Sequence, residues 1–69
     1  MDYKERFKIE YAELKERCNK LYRMLVKCEG GTLDFTPTCP VDLLKKQYEI
    51  MSQYLYILEV RAEIEGVEL

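Results

Sequence analysis

The chain has no histidine and no tryptophan, and only three glycines, two prolines and three cysteines in 69 residues. Each shortage removes something. Without histidine there is no Ser/His/Asp or Cys/His constellation, and the carboxylates lie on helical faces rather than as an isolated pair in an apolar setting, so catalysis is not expected. Gly30-Gly31 lacks the Lys and Ser/Thr that accompany a phosphate-cradling loop. Cys18, Cys28 and Cys39 are an odd number without paired short spacing. A zinc site would need ligands from carboxylates or from several chains, so no metal and no cofactor is expected.

Long apolar runs are missing too. Nothing approaches the eighteen or so consecutive apolar residues that span a bilayer, and MDYKERFKIEY has no apolar core of a signal peptide. The expected home is the cytosol. The net charge of −2 argues against general binding of polymeric nucleic acid, which calls for a concentrated basic stripe. The charge is unevenly placed: residues 1–28 hold eight Lys/Arg against five Asp/Glu, and residues 29–69 hold three against eight. A basic first half facing an acidic second half favours antiparallel pairing, or a basic lining for an anionic ligand.

What is present is helix. From Asp2 to Cys28 there is neither Gly nor Pro, and Phe7, Tyr11, Leu14, Cys18, Leu21, Leu25 and Cys28 recur at alternating spacings of four and three. That is one apolar seam on a helix over residues 2–28. Glu13 with Arg17, and Glu16 with Lys20, are i,i+4 pairs for its exposed side. Gly30-Gly31 ends it by accepting a left-handed backbone. The linker 29–40 carries Leu33 and Phe35 as anchors and Pro37 and Pro40 as stiffeners. Pro40 suits the first position of a second helix over residues 41–65, with Asp42 in its first turn. Cys39, just ahead of it, is read as a capping position, with a reactive thiol as the alternative. The fold class is all-α: one domain of two long antiparallel helices joined by a Gly/Pro-containing linker.

The second helix carries two seams where a hairpin needs one. Leu44, Tyr48, Met51, Leu55, Leu58 and Ala62 form the first, and Leu43, Gln47, Ile50, Tyr54, Ile57, Arg61 and Ile64 the second. So much apolar surface on a small chain is expected to bury itself against another copy, giving a homo-oligomer. The second seam contains Gln47, Tyr54 and Arg61 at intervals of seven. Arg61 there should meet a carboxylate, a phosphate or water, because a desolvated guanidinium without an anion is unfavourable. Six tyrosines, at 3, 11, 22, 48, 54 and 56, offer faces for stacking on bases, and Lys15, Lys20, Arg23 and Lys27 offer cations for phosphates. The ligand-binding candidates are Arg61, Tyr54, Gln47, Tyr11, Lys15, Tyr22 and Arg23. The plainer alternative makes the tyrosines core-edge residues and pairs Arg61 with Glu59, Glu63 or Glu65 of another chain.

YKERFKIEYAELKERCNKLYRML followed by LLKKQYEIMSQYLYILEVRAEI resembles short helical-hairpin proteins of phages and prophages, a family named after a crAss-like phage gene product. The pattern is E-x2-EL-x2-R-x2-KL in the first helix, here Glu10, Glu13, Leu14, Arg17, Lys20 and Leu21. In the second it is LL-x2-Q-x3-M-x2-Y-x2-IL-x2-R, from Leu43 to Arg61. More distantly, the layout is similar to the anti-CBASS and anti-Thoeris sponges, which hold cyclic oligonucleotides or cyclic ADP-ribose isomers between hairpins without chemistry. The resemblance implies a cyclic nucleotide as ligand, copies of the chain as partners, and a place for Arg61 and Tyr54 at or near the pocket. Tyr11 and Lys15 qualify by residue type alone. Two other classes stay open: an adaptor or inhibitor that uses the same face on a host or phage protein, and a purely structural oligomer.

Overall fold

The computed structural model describes residues 2–69. Two helices run through it, α1 (Tyr3–Gly30) and α2 (Val41–Glu65), and no strand occurs among the described residues. Their contacts define the direction of packing. Tyr3 meets Arg61, Cys18 stands 3.8 Å from Ser52, and Glu29 reaches Lys45, so the beginning of one helix lies beside the end of the other. The result is an antiparallel hairpin 42 Å long and 17–20 Å across.

Each helix boundary has a local cause. Asp2 caps α1, its carboxylate accepting the Glu5 N–H at 2.8 Å. At the far end the helix runs two residues beyond the expected Cys28. Gly30 is still helical, and only Gly31, at φ 75°, takes the left-handed turn that lets its N–H reach the Cys28 carbonyl. Pro40 is not the first residue of α2 as expected but its cap. Its ψ of 140° is extended, and its carbonyl accepts the N–H groups of Leu43 and Leu44. Asp42 occupies the first turn as expected.

The seam of α1 and the first seam of α2 meet as the spacing predicts. Phe7, Cys18, Leu58 and Ala62 are buried, and Tyr11, Leu14, Leu21, Leu25, Leu44, Tyr48, Met51 and Leu55 are half-buried around them. Val67 also enters this core. Gly66, at φ 72°, turns the chain back, the Val67 N–H bonds the Ala62 carbonyl at 2.9 Å, and the side chain packs with Phe7, Leu58 and Ala62. Such an apolar contact beyond a glycine cap is a usual way for a helix to close. In the linker Leu33 and Pro37 are half-buried, whereas Phe35, expected as an anchor, is 56% exposed.

The antiparallel pairing that the charge asymmetry favours is present, but ion pairs from basic α1 to acidic α2 do not hold it among the described residues. Among the described residues the ion pair that bridges them is Lys45–Glu29 at 3.8 Å, with the signs reversed. Glu13–Arg17 and Glu16–Lys20 form within α1 at 3.7 and 3.0 Å, both well exposed. No helix is long and apolar enough to cross a membrane.

Candidate functional site

The second seam of α2 has no cover. Leu43, Ile50, Ile57 and Ile64 are 57%, 59%, 53% and 78% exposed, and Tyr54 is 42% exposed between them. These apolar residues recur every seven, so they stand in line on one side of the rod. Near the start of α2, Leu43, Gln47, Ile50 and Met51 surround a shallow, mainly apolar hollow of about 410 Å³.

Arg61 meets its carboxylate inside its own chain. Its Nε donates to Glu65 at 2.8 Å and one terminal nitrogen donates to the Tyr3 hydroxyl, also at 2.8 Å. The guanidinium lies over the Phe7 ring. Glu65 was anticipated as a partner from another chain; it serves here from one turn away on the same helix. Guanidinium carries five N–H donors, and the second terminal nitrogen of Arg61 makes no hydrogen bond among the described residues. Tyr3, Arg6, Phe7, Glu10 and Arg61 border a hollow of about 260 Å³, which brings two guanidinium groups and two aromatic rings to one place. Beside it the Tyr54 hydroxyl donates to Glu10. That bond, with a lesser part from desolvation, raises the Tyr54 phenol above its ordinary value of 10.0, and the Arg61 charge opposes the rise.

Tyr11 and Lys15 belong to a different side. The Tyr11 hydroxyl donates to Glu59 at 2.6 Å and accepts from the Lys15 ammonium at 3.3 Å. The Glu59 bond and partial burial raise the Tyr11 phenol, and Lys15 works against them. Glu10 and Tyr11 are consecutive, about 100° apart around α1, so the Glu10 carboxylate and the Tyr11 hydroxyl emerge on opposite sides of its buried seam. Glu59 and Arg61 do the same on α2. The hairpin thus has a Tyr54–Arg61 face and a Tyr11–Lys15 face, and one copy does not bring these four candidates into a single pocket. The hollow on the Tyr11 side, about 770 Å³, is the larger, but Glu59, Glu63 and Glu68 line it, a setting hostile to phosphate.

The remaining candidates lie toward the other end. Tyr22 stacks at a tilt on Tyr48, ring centres 5.6 Å apart, and serves the packing of the two helices. Arg23 joins Lys20, Lys27 and Phe35 around a groove of about 360 Å³ beside the linker, with Asp34 on its rim. Sequence reasoning missed Tyr3, Arg6 and Glu10 as companions of the Arg61 row. Their helical phase on α1 was readable, but pairing them with Arg61 requires the register between the helices.

Cys18 is buried, Cys28 half-buried and Cys39 exposed, all as free thiols. Among the described residues no three Cys, Asp or Glu side chains gather as metal ligands.

The hairpin so described is one buried seam, one bare seam and a polar row set into the bare one. No curated protein and no solved structure matches the chain. A family model does, over residues 1–64, which takes in all of α1, the linker and α2 as far as Ile64; by that match the chain belongs to the Sequestin family.

Proposed function

We propose that the protein is a sponge: it binds a cyclic nucleotide immune signal between copies of itself and withholds it from its receptor, without catalysis. The signal is a cyclic ADP-ribose isomer or a cyclic oligonucleotide, the setting is the cytoplasm of a bacterium under phage attack, and the gene is the phage's. The observation that carries the reading is the bare seam of α2 with Gln47, Tyr54 and Arg61 set into it. Burying one Leu or Ile side chain contributes roughly 1.5–3 kcal/mol, so a stripe of four favours association strongly. Polar side chains enclosed at that contact need partners, and a nucleotide supplies phosphates for a guanidinium and a base for a tyrosine ring. The family name, Sequestin, speaks of sequestration and supports the same reading.

Glu65 offsets part of the Arg61 charge, so phosphates would draw on Arg6 as well, across the hollow the two share. Sequestration then works by mass action. With protein in excess, a dissociation constant of about 1 nM, near −12 kcal/mol, leaves almost no signal free. Titration calorimetry against cyclic di- and trinucleotides and cyclic ADP-ribose isomers tests this. Saturable heat with one member of the panel is expected, and absence of heat with all of them contradicts the proposal.

A second reading rests on the apolar hollow at Leu43, Gln47, Ile50 and Met51, which suits a side chain of a foreign protein. In that reading the chain is an adaptor or inhibitor of a host or phage protein. It predicts a stoichiometric protein in pull-downs and no nucleotide heat.

A further inference from the structure

We infer that two copies dock through the bare seams of α2 in antiparallel orientation, about a twofold axis that passes α2 between Leu55 and Tyr56, and that this docking completes the Arg61 hollow with Gln47 and Tyr54 of the second copy. The inference deepens the sponge reading and rests on it only for what fills the hollow.

The spacing of the seam selects the orientation. Leu43, Ile50, Ile57 and Ile64 form one heptad position and Gln47, Tyr54 and Arg61 the other, so every second layer is polar. Parallel docking in register stacks Arg61 on Arg61 and sets a polar residue against its own copy three times. Antiparallel docking keeps the two Arg61 guanidinium groups apart, and like charges brought together across a contact are costly. With the axis between Leu55 and Tyr56, Gln47 faces Ile64, Ile50 faces Arg61, and Tyr54 faces Ile57. Moving the axis one step of the seam toward the start of α2 still forms six layers, but it leaves out Ile64, which at 78% is the most exposed of the four.

Charge agrees with the orientation. The end of the chain from Glu59 onward holds Glu59, Glu63, Glu65 and Glu68 against Arg61, whereas the first turns of α2 balance Asp42 and Glu49 with Lys45 and Lys46. Parallel docking brings two acidic ends together; antiparallel docking puts each beside a neutral one. A twofold contact also uses the same surface on both copies and closes on itself, covering both stripes at once.

The consequence is a shared site. Within one chain Arg61 lies two turns from Tyr54 and four from Gln47, too far for one small ligand to touch all three closely. Across the proposed axis Arg61 faces Ile50 of the second copy, so Gln47 and Tyr54 of that copy fall on either side of it. Arg61, Arg6 and Tyr3 then come from one copy, and the amide and the second phenol from the other. The dimer has two such sites.

Spin labels test this without any ligand. With Cys28 and Cys39 replaced by serine and buried Cys18 left in place, single cysteines are introduced by Tyr56→Cys or Glu63→Cys, both exposed, off the seam and seven residues apart, so that they share one side of α2 and lie equally far from the seam. Pulsed dipolar spectroscopy is then read on each, with circular dichroism to verify helix content. The axis predicts copies of residue 56 about 2 Å apart along α2 and copies of residue 63 about 22 Å apart, with the same sideways separation at both. A shorter distance at 56 than at 63 is the expected result. Equal distances at the two positions mean parallel docking and overturn the inference, as does the absence of dipolar coupling at both. A dimer with the predicted distances that takes up no nucleotide leaves the docking intact and removes only the sponge reading.

Discussion

The guanidinium carbon of Arg61 stands 5.0 Å from the centre of the Phe7 ring, and Phe7 is 4% exposed beneath it. A cation on the bare seam thus also roofs the end of the core. Arg61→Ala removes the stacking, the Tyr3 bond and an ion pair whose side chains are 44% and 30% exposed. The ion pair is solvent-screened and adds little, so the expected loss is about 1 kcal/mol, chiefly from the ring contact. Arg61→Lys restores charge but not planarity and recovers only part of it. Urea unfolding of the three proteins measures the order; equal stability of all three contradicts the roofing role.

Leu58 and Ile57 are neighbours with opposite fates, 1% and 53% exposed. Leu58→Ala opens a cavity in the hairpin core and is expected to cost about 2–4 kcal/mol. Ile57→Ala touches only the bare seam and leaves the hairpin's own core intact. Denaturant titration at low protein concentration, where copies are apart, separates the two; similar losses for both contradict the assignment of seams.

Gly30 and Gly31 respond in opposite directions to alanine. A Cβ on helical Gly30 meets nothing within 4 Å, so Gly30→Ala is expected to stabilise by about 0.5 kcal/mol. Gly31 sits at φ 75°, where a side chain is strained, and Gly31→Ala is expected to cost about 1 kcal/mol. Thermal unfolding reads both, and a shift of the same sign for the two contradicts the cap geometry.

Alkali tests the two tyrosine–carboxylate bonds. The phenols of Tyr11 and Tyr54 are raised above 10.0 by bonds to Glu59 and Glu10. A raised folded value means that these bonds contribute fully below the unfolded value near 10 and that their contribution is lost as pH climbs through the folded one. Tyrosinate absorbance should show a late-titrating fraction that shrinks in Tyr11→Phe and in Tyr54→Phe. Uniform ionisation of all six tyrosines at the unfolded value contradicts it.

Much of this was legible from spacing. The alternating four-and-three rhythm of Phe7 to Cys28, and of Leu44 to Ala62, identified the buried seams because a helix turns a fixed angle per residue. The same arithmetic identified Leu43 to Ile64 as surplus. What spacing does not carry is the register between helices, and the companions of the polar row depend on it: Tyr3 and Phe7 under Arg61, Glu10 at Tyr54. Glu65 was recognised as a partner by charge but placed in another chain, since a seam cation was expected to look outward. Val67 escaped because it follows the helix, although a glycine succeeded by an apolar residue is the sign of a closing turn. Tyr11 and Lys15 were grouped with Arg61 by residue type, and type says nothing of which side of the rod a side chain occupies.

The bare seam of α2 underlies the functional account, and sedimentation equilibrium of the unmodified chain at micromolar concentration tests it most directly. A mass that is a multiple of 8.3 kDa, falling to a helical monomer on Ile57→Asp, is the predicted result. A well-folded 8.3 kDa monomer for the unmodified chain contradicts it.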